Sequence, residues 1–220
     1  MEFNIHTINH FMISMIEFQR FDCKADVGFL IDGSGSITVP EHNWNLIKDL
    51  ILVVAKDLNI TEDGAHVAVA VFSDSATLDI QFSDFTDYHS FEEEVIKLQH
   101  PGGGTDTLSG FNIALNQMFD ESTGMRADVP KTLIYLTDGV CNADNCDINE
   151  FARLGNLFRN RKIMTIGIGI GEDINDEEIT AFVDESNYYK KKSFNQILTK
   201  RFRRGLLLCE SKLNGSNLLL

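Results

Sequence analysis

The sequence predicts a doubly wound α/β domain: a mostly parallel six-stranded sheet with one antiparallel edge strand and helices on both faces. Three observations carry this. Apolar, β-branched runs recur without polar alternation, as strands buried on both faces require. Segments with an apolar residue every three or four positions lie between them, as covering helices require. One pair of runs is joined by a short link, Ser73-Asp74-Ser75, which predicts a single hairpin.

The elements follow in order. Asp26–Ile31 is a buried strand that stops at a flexible loop, Asp32-Gly33-Ser34-Gly35-Ser36. From Asn43 to Leu58, Trp44, Ile47, Ile51, Val54 and Leu58 form one helical stripe. His66–Phe72 and Ala76–Phe82 are the hairpin strands. Phe91–Leu98 is a helix ended by Pro101-Gly102-Gly103-Gly104, and the helix after Thr107 carries Phe111, Leu115 and Met118 on one face. Thr132–Thr137 is a second β-branched buried strand, ending at Asp138-Gly139. Asn149–Arg161 is a helix, Ile163–Ile168 a strand, and Asp176–Glu185 a helix. A short, weak strand begins at Tyr188-Tyr189, and a helix over Asn195–Leu208 closes the fold.

Composition bounds the function. The chain has 220 residues, 43% hydrophobic and 24% charged, enough for one domain with a sizeable core. Sixteen Phe exclude disorder throughout, and only 3 Pro with no short period exclude a fibrous repeat. The net charge of −14 excludes a general nucleic-acid binder, which needs a basic surface. Acid dominates the body and suits hard cations. From Lys190 onward the balance reverses, with Glu210 the one acid, and reads as a solvated helix face. No apolar stretch reaches the length of a membrane span. Phe11–Phe18 is apolar but short and has no basic flank or cleavage site, so it is not read as a signal peptide. Residues 1–22 read as a leader outside the fold, 23–209 as the domain, and 210–220 as a flexible tail.

Four cysteines allow three pairings. One pair joining the domain ends, Cys23 and Cys209, and one local pair, Cys141 and Cys146, is the simplest arrangement; unpaired thiols in a reducing compartment are the alternative. The sequons at Asn59 and Asn214 are compatible with secretion and weigh little.

Polar clusters sit where strands end or where loops approach the carboxyl edge of the sheet: Asp32-Gly-Ser34-Gly-Ser36, Gly103-Gly-Thr105-Asp-Thr107 and Thr137-Asp138-Gly139. Open α/β sheets bind ligands beyond the carboxyl ends of their strands. Hydroxyls and carboxylates are hard donors suited to Mg²⁺, Mn²⁺ or Ca²⁺, and no His sits in these clusters, which argues against zinc. In an extended loop alternate residues point the same way, so Asp32, Ser34 and Ser36 can converge.

Asp-x-Ser-x-Ser after a first strand, then Gly-Gly-Thr, then Thr-Asp-Gly after a later strand resembles the von Willebrand factor type A domain, over roughly residues 23–209. The flanking cysteines resemble its extracellular matrix branch, as in matrilins and collagen A domains. The resemblance implies a Rossmann-like fold and a metal-ion-dependent adhesion site lined by Asp32, Ser34, Ser36, Thr105 and Asp138. It implies Mg²⁺, with Mn²⁺ or Ca²⁺ as alternatives, and an extracellular domain. The implied partner is a matrix or cell-surface protein that supplies a Glu or Asp carboxylate. The Cys141–Cys146 loop departs from the family pattern.

Blander readings compete at each feature. Gly167-Ile-Gly-Ile-Gly171 has dinucleotide-loop spacing, but it lacks the third glycine and lies on a late strand, so it reads as close backbone packing. Asp106 reads as a solvated loop acid rather than a further ligand, Ser73-Asp-Ser75 as a turn rather than a second site, and the His residues as solvated or satisfied. Two other functions use the same clusters. One is a metal-dependent phosphoester hydrolase, against which no general base or positioned cation is evident. The other is an intracellular scaffolding domain of the same fold.

Overall fold

A computed structural model describes residues 24–38 and 42–196. The expected leader over 1–22, the expected tail over 210–220, Cys23 and Cys209 lie outside the described residues, as does the part of the expected closing helix beyond Gln196. The sheet has six strands: β1 (Ala25–Asp32), β2 (Ala65–Phe72), β3 (Ala76–Ile80), β4 (Lys131–Thr137), β5 (Ile163–Ile170) and β6 (Tyr188–Lys191). Their order is β3-β2-β1-β4-β5-β6. All neighbours are parallel except β2 and β3, and β3 is the edge strand the hairpin link predicts.

The helices are α1 (Asn43–Leu58), α2 (Tyr88–Lys97), α3 (Thr107–Ile113), α4 (Ile148–Asn160) and α5 (Asp176–Phe182). Strand alternation divides the core between the two faces. Val27, Phe29 and Ile31 of β1 pack with Trp44, Ile47, Ile51 and Val54 of α1 and with Phe91 and Val95 of α2. Leu30 of β1 faces the other way, among Phe111 of α3, Phe151 and Phe158 of α4, and Phe182 of α5. Phe111 and Phe182 stack there at 3.6 Å. All five stripe residues expected on α1 are buried, as are Phe111, Leu115 and Met118.

Some boundaries shift for local reasons. Helix α2 begins three residues early, because the Asp87 carboxylate accepts from the Ser90 N–H at 2.9 Å and caps it. β3 stops at Ile80, where the Gln81 N–H turns aside to Asp84 at 2.8 Å. α5 ends at Phe182, and a 3₁₀ turn over Glu185–Asn187 replaces its expected last turn. α3 runs into a π turn over Ala114–Met118, closed by the Phe119 N–H on the Ala114 carbonyl at 3.0 Å. The late glycines do serve close packing: a Cβ on Gly167 would lie 2.7 Å from Ile179, and one on Gly169 2.6 Å from Ile174.

This topology prepares one place for chemistry. β1 and β4 are central neighbours, with Ile31 opposite Leu136, so Asp32 and Thr137 end side by side. β1 leads toward α1 on one face and β4 toward α4 on the other, which opens a crevice at the carboxyl edge. At the opposite edge, buried Asp26 pairs with Arg126 at 2.7 Å.

Candidate functional site

The site starts from Asp32, the last residue of β1, whose carboxylate is fully buried. Its Oδ1 accepts from the Ser34 N–H at 2.8 Å, and its Oδ2 accepts from the Thr137 hydroxyl at 2.6 Å. The first bond folds the loop back on the strand end, and the second ties β1 to β4. Residues Gly35–Thr38 then form a 3₁₀ turn, which places the hydroxyls of Ser34 and Ser36 3.0 Å apart. The expectation of an extended loop is therefore corrected. Ser34 and Ser36 converge through the Asp32 hairpin and this turn, not through strand-like alternation.

Asp138 joins from β4: the Ser36 hydroxyl donates to its Oδ1 at 2.7 Å. Burial, and then the charge of Asp32, push the Asp138 carboxyl up to about 6, against the opposing Ser36 bond. Burial also raises Asp32 above its ordinary value, while its bonds to Thr137 and Ser34 act against the shift. Two carboxyls that repel each other and resist ionisation make a place where positive charge is stabilising.

Thr105 enters from the loop between α2 and α3. A methyl group on Gly139 would lie 3.8 Å from the Ser36 hydroxyl and 4.0 Å from that of Thr105, so both border one small opening. The loop bends through Gly102 and Gly103, whose φ values of 69° and 88° suit glycine. Three successive amides of the loop are held. The Gly104 N–H donates to Asp74 Oδ1 at 2.7 Å, Thr105 N–H to Asn142 Oδ1 at 2.7 Å, and Asp106 N–H to the Ser73 carbonyl at 2.7 Å. Thr105 is 5% exposed as a result.

The structure thus brings Asp32, Ser34, Ser36 and Asp138 into one hydrogen-bonded chain, with Thr105 across the opening. The donor set suits a small hard cation. Adjacent oxygens around an octahedral ion with bonds of 2.0–2.1 Å sit about 2.9 Å apart. The Ser34–Ser36 and Ser36–Asp138 separations are 3.0 and 2.7 Å. Among the described residues no group of three or more His, Cys, Asp or Glu is arranged to hold a metal.

Several supporting residues were missed in the sequence. Asp74 belongs to the Ser73–Ser75 turn, yet its carboxylate props the Gly-Gly-Thr loop. The His100 Nε2–H donates to the Ser34 carbonyl at 2.9 Å, and its ring meets Trp44 edge-on. Asn142 sits in the Cys141–Cys146 loop, whose expected local disulfide is present. Asp106 is not simply solvated: it caps α3, accepting from the Ser109 N–H at 3.0 Å. Residues near a strand end advertise themselves; Asp74, His100 and Asn142 act through contacts distant in sequence and carry no local pattern.

The chain is 29% identical to cochlin from Cavia porcellus over 166 residues, 75% of this chain and 29% of cochlin. It is 28% identical to the collagen alpha-1(XXI) chain of Xenopus laevis over 169 residues, 76% of this chain and 16% of the collagen. It spans under a third of these relatives' length. In fold it matches proximal thread matrix protein 1 from the mussel byssus, with TM-score 0.74 and 22% identity over 84% of this chain and 45% of that one. Another structure of that protein, with its MIDAS motif occupied by zinc, matches at TM-score 0.74 and 23% identity, again over 84% of this chain and 45% of that one. The von Willebrand factor type A domain model matches residues 26–203, most of the chain. With the six-stranded sheet, the strand-end clusters and that match in agreement, this chain belongs to the von Willebrand factor type A domain family.

Proposed function

We propose that this domain is a divalent-cation-dependent protein-binding module, not an enzyme. Ser34, Ser36 and Thr105 offer hydroxyl oxygens to the cation, and Asp32 and Asp138 balance its charge, in part through water. The observation that carries this reading is the chain of oxygens at 2.7–3.0 Å, ending in a carboxyl that burial pushes up to about 6. A cation beside such a carboxyl favours its ionised form.

A bound Mg²⁺ would supply an exchangeable coordination position for an oxygen ligand. The chain's own residues do the rest. Asp32, buried and bonded to Ser34 N–H and Thr137, fixes the start of the first loop and so reduces the ordering that binding costs. Ser36 is exposed and lies on the open side, toward a partner. A Glu or Asp of that partner completes the ligand set. Mg²⁺ is the proposed ion in life, with Mn²⁺ or Ca²⁺ as substitutes in vitro.

We also propose an extracellular setting, with a matrix or cell-surface protein as partner. The collagen chains among the relatives, the thread matrix protein among the fold matches, and the Cys141–Cys146 disulfide support it. Among the described residues no helix is long and apolar enough to cross a membrane.

The test is capture of partners from a matrix extract on immobilised chain, in Mg²⁺ and in excess EDTA. The proposal expects bound protein that EDTA and Ser36→Ala both release. Binding that persists through both refutes it.

A further inference from the structure

The loop that follows Asp138 does more than leave the strand. Asn142 grips the Thr105 backbone from both sides: its side-chain Oδ1 accepts the Thr105 N–H at 2.7 Å, and its own N–H donates to the Thr105 carbonyl at 3.1 Å. A Cβ on Gly104 would lie only 3.0 Å from Asn142 Oδ1, so the two loops are in close contact. Yet Asn142 stands on a segment with no helix or strand, between β4 and α4. Two ties restrain that segment. The Cys141–Cys146 disulfide closes it, with Cα atoms 5.9 Å apart, and the Cys141 N–H donates to Glu178 of α5 at 3.0 Å.

We propose that the disulfide-closed loop is a clamp for Thr105, with Asn142 its positioning residue. Divalent-cation affinity then depends on a side chain and a disulfide that supply no ligand to the ion. The inference rests on the cation-site reading above. Its physical basis is the cost of ordering: closing a short loop removes open conformations, and an acceptor held in place keeps the Thr105 amide, and with it the hydroxyl, where it is useful.

The test uses the whole chain with N142A, N142D and the double variant C141S/C146S. Two readouts are taken: a calorimetric Mn²⁺ titration, and hydrogen exchange at the Thr105 amide in chelator. N142A and C141S/C146S are expected to weaken Mn²⁺ binding by ~10–100-fold, the usual effect of removing a group that orients a ligand. N142D keeps the acceptor and is expected to bind at least as tightly as wild type. Without cation, Thr105 exchange is expected to accelerate in both weakened variants, while core amides of β1 keep wild-type protection. The clamp is overturned if C141S/C146S leaves Thr105 exchange unchanged, or if both variants bind Mn²⁺ like wild type. A wild-type chain that takes up no Mn²⁺ overturns the cation reading and the affinity claim with it, and the exchange data then decide whether the loop holds Thr105.

Discussion

Arg126→Ala is the sharpest test of what holds the fold. Asp26 is fully buried at the edge of the sheet opposite the site. It accepts from Arg126 Nε at 2.9 Å, Nη2 at 2.7 Å and the backbone N–H at 2.7 Å. Nη2 also reaches the carbonyls of Ala25 and Gly64, each at 3.0 Å, so one guanidinium ties β1 to the turn before β2 and the loop before β4. Truncation leaves the carboxylate with a backbone amide only. Removing one partner of a buried pair costs about 3–5 kcal/mol. At about 2–4 °C per kcal/mol for a domain of this size, Tm falls on the order of 10 °C. Urea unfolding followed by circular dichroism at pH 7 reads the loss. Asp26→Ala in the same background should recover part of it, because the orphaned charge goes too. A loss below about 1 kcal/mol, or strictly additive single losses, would refute the reasoning.

Further outcomes follow from other contacts. Asp138 holds its proton more tightly folded than unfolded, since its carboxyl rises from 3.8 to about 6. In chelator this group's contribution to stability is therefore present below about pH 3.8 and lost as pH climbs through about 6. Tm recorded against pH should show that loss with EDTA and a smaller one with saturating Mg²⁺; identical profiles would contradict it. Gly155→Ala drives a Cβ into the Phe182 carbonyl oxygen, where α4 meets α5, and backbone cannot step aside cheaply. The expected cost is about 1–3 kcal/mol in urea unfolding, and wild-type stability would count against the packing described.

Sequence pattern revealed the frame well, because burial writes itself into consecutive residues. The β-branched run of β4 and the stripe from Trp44 to Leu58 each mark an element without reference to the rest of the chain. Asp32, Ser34, Ser36, Thr105 and Asp138 were visible because each stands beside glycine at a strand end or loop. The π turn after Ile113 was hidden: one extra residue in a helical turn hardly alters an apolar stripe. Asp74, His100 and Asn142 were hidden for another reason. Their partners are 30, 66 and 37 residues away, and only the folded sheet edge makes them neighbours. The loop closed by Cys141 and Cys146 stood out as an oddity, but its grip on Thr105 needed coordinates.

The central claim is that the oxygens gathered above Asp32 hold one divalent ion. Calorimetric titration of the chelator-stripped chain with Mg²⁺, beside Ser36→Ala and Thr105→Ala, addresses it directly. Ser36 is exposed, so its truncation is expected to leave the fold intact while it removes a donor oxygen and the hydrogen bond to Asp138. The account predicts one ion per chain for wild type and binding weakened by ~10-fold or more in each variant. No heat of binding in wild type, or equal affinity in all three proteins, would contradict it.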